Sequence, residues 1–191
     1  MIYLVRHGQT AFNAEGRLQG HVDSPLTELG RAQAAQAGAA LKRLTGGGEG
    51  WRIISSPLGR ARDTAEAIRA ALGTPDLEID ARLIELSWGD WDGGLRADLK
   101  ARHPEAFGES GWAFTAPIGE AYDAAQARLR DWLSTLPPEP ERRIIAVSHG
   151  VAGRLLRGVY AGLSKAETLA QQVPQDACFR LSGGAIERLD Y

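Results

Sequence analysis

The chain has 191 residues, 43% hydrophobic and 24% charged, with 22 Lys and Arg against 24 Asp and Glu for a formal net charge of −2. These proportions exclude a disordered or fibrous chain, and the near-neutral balance excludes the broad basic face that non-specific nucleic-acid binding needs. The length suits one domain over 1–191, large enough to bury a core without a disulfide or metal staple. The single cysteine, Cys178, cannot form an internal disulfide, which fits a reducing compartment. No stretch approaches the ~18 apolar residues of a membrane span, and the first residues lack the pattern of a signal peptide. The expectation is a soluble cytoplasmic protein with no nucleic-acid or membrane partner.

In chain order, Ile2–Val5 reads as a buried strand. Thr27 precedes a run of apolar and small residues from Leu29 to Leu41 and is placed to cap an Ala-rich helix. The Gly46–Gly50 run is a turn, followed by a second strand, Trp51–Ser55. Pro57–Leu72 has helical spacing and ends at Gly73 and Pro75, in the usual stop order. Leu77–Ile79 is a short strand, and Leu83–Gly94 is a loop rich in Gly and Trp. Segment 95–118 is irregular, with one short helix near Leu95–Arg102. Ile118–Leu136 is helical, Arg143–Val147 is a strand, and Val151–Tyr160 is a helix directly after it. Ala177–Leu181 and Ala185–Leu189, split by Gly183-Gly184, form a terminal hairpin.

Strands alternating with helices predict a three-layer α/β/α sandwich with a mostly parallel central sheet, and 83–118 as a small cap insertion. In such sheets ligands bind outside the carboxyl ends of the strands. That rule singles out the residues just after Val5 and just after Val147. Both places carry His-Gly: Arg6-His7-Gly8 and His149-Gly150. Between them, Ser55-Ser56-Pro57-Leu58-Gly59-Arg60 places an arginine where a strand yields to a helix, whose N-terminus already attracts anions. Nineteen of the 22 basic residues are arginine. Base composition of the coding DNA accounts for most of them; Arg6 and Arg60 are the ones placed to grip an anion.

Other chemistries leave other marks. There is no G-x-x-x-x-G-K-[ST] phosphate loop and no G-x-S-x-G elbow. Asp90-Trp91-Asp92-Gly93 lacks the apolar strand that would precede an aspartyl nucleophile, and Cys178 reads as a buried small hydrophobe. His7, His149 and Glu85 are the residue types of an iron triad. Arg6 beside His7 would repel a dication and favour a phosphate, so neither metal nor cofactor is expected.

Leu4-Val5-Arg6-His7-Gly8-Gln9-Thr10 with Asn13, and Ser55–Arg60, resemble the motifs of the histidine phosphatase superfamily, the phosphoglycerate mutase-like family. The likeness continues through Arg17, Gln19-Gly20 and Asp23–Thr27, then Leu83-x-Glu85 to Gly93, and Val147-Ser148-His149-Gly150. It runs in order from residue 2 to about 157. Position 9, often Glu in the family, is Gln here.

The resemblance implies that His7 is a nucleophile forming a phosphohistidine, and that Glu85 protonates the leaving oxygen and then activates water. Arg6, Arg60 and His149 would surround the phosphoryl group with positive charge, and Asn13 would donate neutral hydrogen bonds. Imidazole attacks only when neutral, and Arg6 and Arg60 disfavour its protonation. Arg17 and Gly20 are weaker candidates for substrate contact. Gly119-Glu120 and Arg128 resemble a family helix start with a structural arginine, so Glu120 reads as a capping carboxylate; Arg62 reads as a helix-surface residue, and His21 and His103 as exposed residues without partners. Trp88, Trp91 and Trp112 either wall a leaving-group pocket or pack the cap. The expected activity is metal-independent hydrolysis of a small phosphorylated metabolite. A phosphoglycerate mutase and a non-catalytic phospho-ligand-binding module are the alternatives. The short cap favours hydrolysis over the mutase, and intact His7, Glu85 and His149 disfavour a pure binder. Neither the substrate nor the oligomeric state is legible at this level.

Overall fold

The computed structural model describes residues 1–73, 76–108 and 111–191. Six strands form one sheet in the order β3-β2-β4-β1-β5-β6: β1 (Ile2–Arg6), β2 (Arg52–Ser55), β3 (Leu77–Ile79), β4 (Ile144–Ser148), β5 (Ala177–Ser182) and β6 (Ala185–Asp190). The first four are mutually parallel; β5 lies antiparallel on β1 and turns through Gly183-Gly184 into β6. The expected mostly parallel sheet and the terminal hairpin are both present.

The inner strands are buried on both faces because their central side chains, from Ile2 to Val5, Ile53 to Ile54 and Ile144 to Val147, are apolar on both sides of the sheet. Ile2, Leu4, Ile54, Ile144 and Ala146 enter one core; Tyr3, Val5, Ile53, Ile145 and Val147 enter the other. The second core is closed by α2 (Glu28–Thr45) and α3 (Gly59–Leu72) through Ala37, Leu41, Ala61, Ala65, Ile68 and Leu72. The first is closed by α6 (Tyr122–Ser134) and α7 (Gly150–Ala161), with Leu129, Trp132, Leu155 and Leu156.

Thr27 caps α2 by accepting the Gly30 N–H at 3.0 Å. The helix foreseen from Pro57 starts two residues later, and Gly73 ends it at φ +86°. Pro75 lies outside the described residues. The helix foreseen from Ile118 starts four residues later, because Ile118 turns at φ +51° and the Glu120 N–H is drawn to the Ser87 carbonyl. Three short helices escaped the sequence reading: one at Pro104–Phe107, and two that capping boxes announce, α1 (Ala11–Glu15) behind Thr10-x-x-Asn13 and α8 (Lys165–Ala170) behind Ser164-x-x-Glu167.

The cap carries α4 (Arg96–Arg102) and α5 (Pro104–Phe107). Aromatic rings stack through it in series, Trp88 on Trp112, Trp112 on Phe107 and Phe107 on Trp91, at 5.1, 4.6 and 5.4 Å between centroids. His103 joins at 5.3 Å from Trp91, so it has a partner after all. The insertion is therefore continuous with the main core.

Candidate active site

Neighbouring strands bring the two His-Gly pairs together. Arg6 stands opposite Ser148 at the ends of β1 and β4, and the ladder continues through a bond from the His7 N–H to the Ser148 carbonyl at 3.0 Å. On the far side of β4, the Ser56 N–H bonds to the Val147 carbonyl at 3.0 Å. Three parallel strands therefore stop side by side and deliver Ser56, His149 and His7 to one edge. The two imidazole rings meet edge to face at 5.1 Å.

His7 Nδ1 lies 2.8 Å from the Gly8 carbonyl, which can only accept, so Nδ1 carries the proton and Nε2 keeps a free lone pair. Burial, and then the charges of Arg6 and Arg60, hold the His7 pKa well below 6.5. His149 is held down likewise, first by burial and then by His7, Arg60 and Arg6; its Nε2 is 2.7 Å from Ser56 Oγ. What His149 offers an arriving anion is thus a hydrogen bond, where the sequence reading foresaw a positive charge.

Both imidazoles take up protons near pH 6.5 in the unfolded chain but resist doing so when folded. Their contribution to stability is complete above about pH 6.5 and is lost as the pH falls below it, by up to ~1.4 kcal/mol per pH unit for each ring. Between pH 7.5 and 5.5 the urea midpoint should therefore fall, and the fall should be shallower in the His7→Asn/His149→Asn double variant. Equal slopes in the two proteins would contradict the buried neutral pair.

Glycines set the first loop. A Cβ on Gly8 would lie 2.2 Å from the Gly30 carbonyl oxygen, and one on Gly30 only 1.9 Å from the carbonyl oxygen of Gln9. The loop after β1 thus runs backbone against backbone on the first turn of α2. Gly30→Ala should destabilise the fold by ~1–3 kcal/mol, the usual cost of overpacking, read as a lower thermal midpoint. An unchanged midpoint would mean that the loop can yield.

Arg60, in the first turn of α3, is fully buried. Its Nη2 donates to the Gly20 carbonyl at 2.7 Å, and its Nη1 to the Val22 carbonyl at 3.0 Å and to Asp23 at 3.1 Å. Asp23 also accepts the Gly59 N–H, giving α3 the cap that Leu58 cannot supply. Arg6 donates to the Val173 carbonyl. Gln175 from the same segment bonds the His7 carbonyl at 3.0 Å and Asn13 Oδ1 at 3.2 Å. Residues 173–175 thus strap the arginine and histidine in place, an anchor that no sequence motif announced.

Glu85 is drawn to the start of α7. Its Oε1 accepts the N–H groups of Leu86 at 2.9 Å and Ala152 at 2.8 Å, and its Oε2 that of Val151 at 3.1 Å. The carboxylate satisfies helix donors that would otherwise be orphaned, within the favourable field of the N-terminus. Ser148 Oγ donates to the Leu83 carbonyl at 2.7 Å, tying this loop to the end of β4. His21, expected to lack a partner, bonds the Glu85 carbonyl through Nε2 at 3.0 Å. Asp92 accepts the N–H groups of Trp88 and His21, and a Cβ on Gly20, at φ +52°, would collide with it.

These residues open onto a cavity of about 330 Å³ lined by Arg6, His7, Asn13, Arg17, Gly20, Arg60 and Glu85. Every candidate site residue from the sequence lines it except His149, whose ring abuts that of His7. Trp88 and Trp112 form part of the wall, while Trp91 only packs. Glu120 is not a helix cap: it forms a two-pronged ion pair with Arg128 at 2.6 and 2.8 Å, and Ala121 precedes α6 without a capping side chain. Arg62 is exposed, as foreseen. Arg96 and Arg154 line the cavity and were missed. Arg154 follows Gly150 by one helical turn, which helical spacing could have revealed; nothing in the sequence marked Arg96.

Fold and cleft define an α/β protein with a cationic pocket built around a neutral imidazole at the carboxyl edge of parallel strands. The chain belongs to the histidine phosphatase superfamily (branch 1), whose family model matches residues 2–182. It is 35% identical over 202 residues to proteins called probable phosphoglycerate mutase GpmB in Cronobacter sakazakii and Citrobacter koseri, covering 100% of this chain and 84% of each relative. Among solved structures it resembles a mycobacterial glucosyl-3-phosphoglycerate phosphatase in complex with VO3, with a TM-score of 0.80 and 33% identity over 100% of this chain and 96% of that one. It also resembles a putative alpha-ribazole-5′-P phosphatase from Escherichia coli, with a TM-score of 0.78 and 26% identity over 100% and 95%. No helix among the described residues is long and apolar enough to cross a membrane.

Proposed function

We propose that the chain is a metal-independent phosphomonoesterase that hydrolyses a small phosphorylated metabolite through a phosphohistidine on His7. The observation that carries this reading is the His7 tautomer: Nδ1 is committed to the Gly8 carbonyl, so Nε2 is an unprotonated nucleophile within the field of Arg6 and the buried Arg60. Nε2 attacks phosphorus, the bond from phosphorus to the leaving oxygen breaks, and Glu85 gives that oxygen a proton. Water then attacks the phosphohistidine, Glu85 takes a proton from it, and the N–P bond breaks to release phosphate and free His7. Arg6 and Arg60 hold the phosphoryl oxygens, Asn13 and His149 add hydrogen bonds, and Arg17 and Gly20 border the leaving group.

The names of the 35%-identical relatives favour a second reading, phosphoryl return to a phosphoglycerate. The two readings part at the phosphoenzyme. Labelled phosphate on His7 should pass to water at the same rate with or without 3-phosphoglycerate, in the presence of a chelator. Transfer of the label to 3-phosphoglycerate would establish the mutase, and loss of turnover with the chelator would overturn metal independence.

A further inference from the structure

Arginine is seldom fully buried unless a carboxylate pairs with it. Arg157, in α7, is 3% exposed, and no carboxylate pairs with it among the described residues. Burial, and then Arg154, lowers its pKa to about 10, so it remains a cation at neutral pH. An apolar side chain of similar length would fill this position without desolvating a charge. Packing alone therefore gives no reason for an arginine here; its hydrogen bonds do.

The guanidinium stacks over the Phe179 ring, 3.7 Å from the centroid, which fixes the plane of its fork. Phe179 is held in turn opposite Leu4 by the pairing of β5 with β1. From that seat Nε donates to the Gly153 carbonyl, four residues back, at 3.2 Å, and Nη2 donates to the Gln172 carbonyl at 2.6 Å. The next carbonyl along, that of Val173, accepts from Arg6, and Gln175 bonds the His7 carbonyl and Asn13. Arg157 is not among the residues lining the 330 Å³ cavity, nor among the cations that depress the two imidazoles. Its route to the chemistry is the strap.

We infer that Arg157 is a positioning residue, which anchors segment 172–175 so that Val173 and Gln175 hold Arg6 and His7 in place for the phosphoryl group. The use of that geometry rests on the phosphomonoesterase reading. The anchor itself is the same whether the phosphoryl group passes to water or to a second hydroxyl.

Arg60 supplies an internal comparison. Its Nε, like that of Arg6, is buried with no hydrogen-bond partner among the described residues, but its fork rests on Gly20, Val22 and Asp23, outside the strap. In the 15N-labelled parent, the Nε–H signals of the two arginines, assigned by their loss in Arg6→Lys and Arg60→Lys, should both exchange slowly with solvent. Arg157→Met should speed exchange at Arg6 by roughly 3- to 30-fold, within the range of coupling between residues in one hydrogen-bond network, and leave Arg60 unchanged. Affinity for inorganic phosphate, read by calorimetry, should fall by a similar factor. Support of the core alone would loosen both arginines alike. Unchanged exchange at Arg6, or equal loosening of Arg60, would overturn the anchor, and unchanged phosphate affinity beside faster exchange at Arg6 would overturn its positioning role. Arg157→Leu is the second variant if Arg157→Met does not fold; failure of both to fold would make Arg157 a support of the core and overturn the inference. If the parent neither binds phosphate nor releases it from an aryl phosphate, the phosphomonoesterase reading fails by itself, and exchange at Arg6 against Arg60 still decides the anchor.

Discussion

His7→Ala should release phosphate from an aryl phosphate more slowly than the parent by a factor on the order of 10³–10⁶, the range expected when a covalent nucleophile is removed. Rapid acid quenching should trap phosphoprotein in the parent and none in the variant. The size of the effect follows from the site. Arg6, Arg60 and the strap through Val173 and Gln175 remain after truncation, so the variant should still bind inorganic phosphate. What it loses is the lone pair on Nε2, which no neighbour replaces: His149 Nε2 is engaged with Ser56 Oγ. Retention of the parental rate would remove His7 from the reaction; loss of phosphate binding as well would mean that the variant had lost the site rather than the nucleophile.

Glu85→Gln tests the proton transfer. The amide keeps an oxygen for the Leu86 and Ala152 N–H groups but turns its NH2 toward the Val151 N–H, two donors face to face. The unsatisfied pair should cost ~1–3 kcal/mol of stability, about 2–4 °C in Tm per kcal/mol for a chain of this size. The catalytic effect should be separable from it. Alkyl phosphates need a proton on the leaving oxygen and should slow by ~10²–10⁴, whereas p-nitrophenyl phosphate, whose leaving group departs as an anion, should slow much less. A uniform slowing across leaving groups would assign Glu85 to holding the N-terminus of α7 and not to the acid role.

Most of the site was legible because strand ends and turn chemistry are local. Apolar runs at Ile2–Val5 and Ile144–Val147 mark strands buried on both faces, and the His-Gly pairs after them fall where parallel sheets bind ligands. Arg60 was legible as an arginine in the first turn of a helix. Arg128 was legible as a structural arginine at this helix start, but Glu120 was read as a cap because a carboxylate there has two uses, and only the fold shows it pairing with Arg128. Arg96 and Arg154 were not legible as lining one cavity, since they reach it from the cap and from α7, elements far apart in sequence.

By itself, then, the sequence determined the alternation of strands and helices, the two histidines at strand ends and the family to which these motifs belong, because each depends on residues close along the chain. Tertiary structure decided which strands are neighbours. Placing β4 between β2 and β1 puts Ser56, His149 and His7 in one row, and burial there, more than any single charge, keeps both imidazoles neutral. It also decided what the excess of arginine over lysine could not say: which guanidinium groups are matched by carboxylates, and which line the cavity. Pairing and desolvation depend on what folding brings alongside, and that is written in no local pattern.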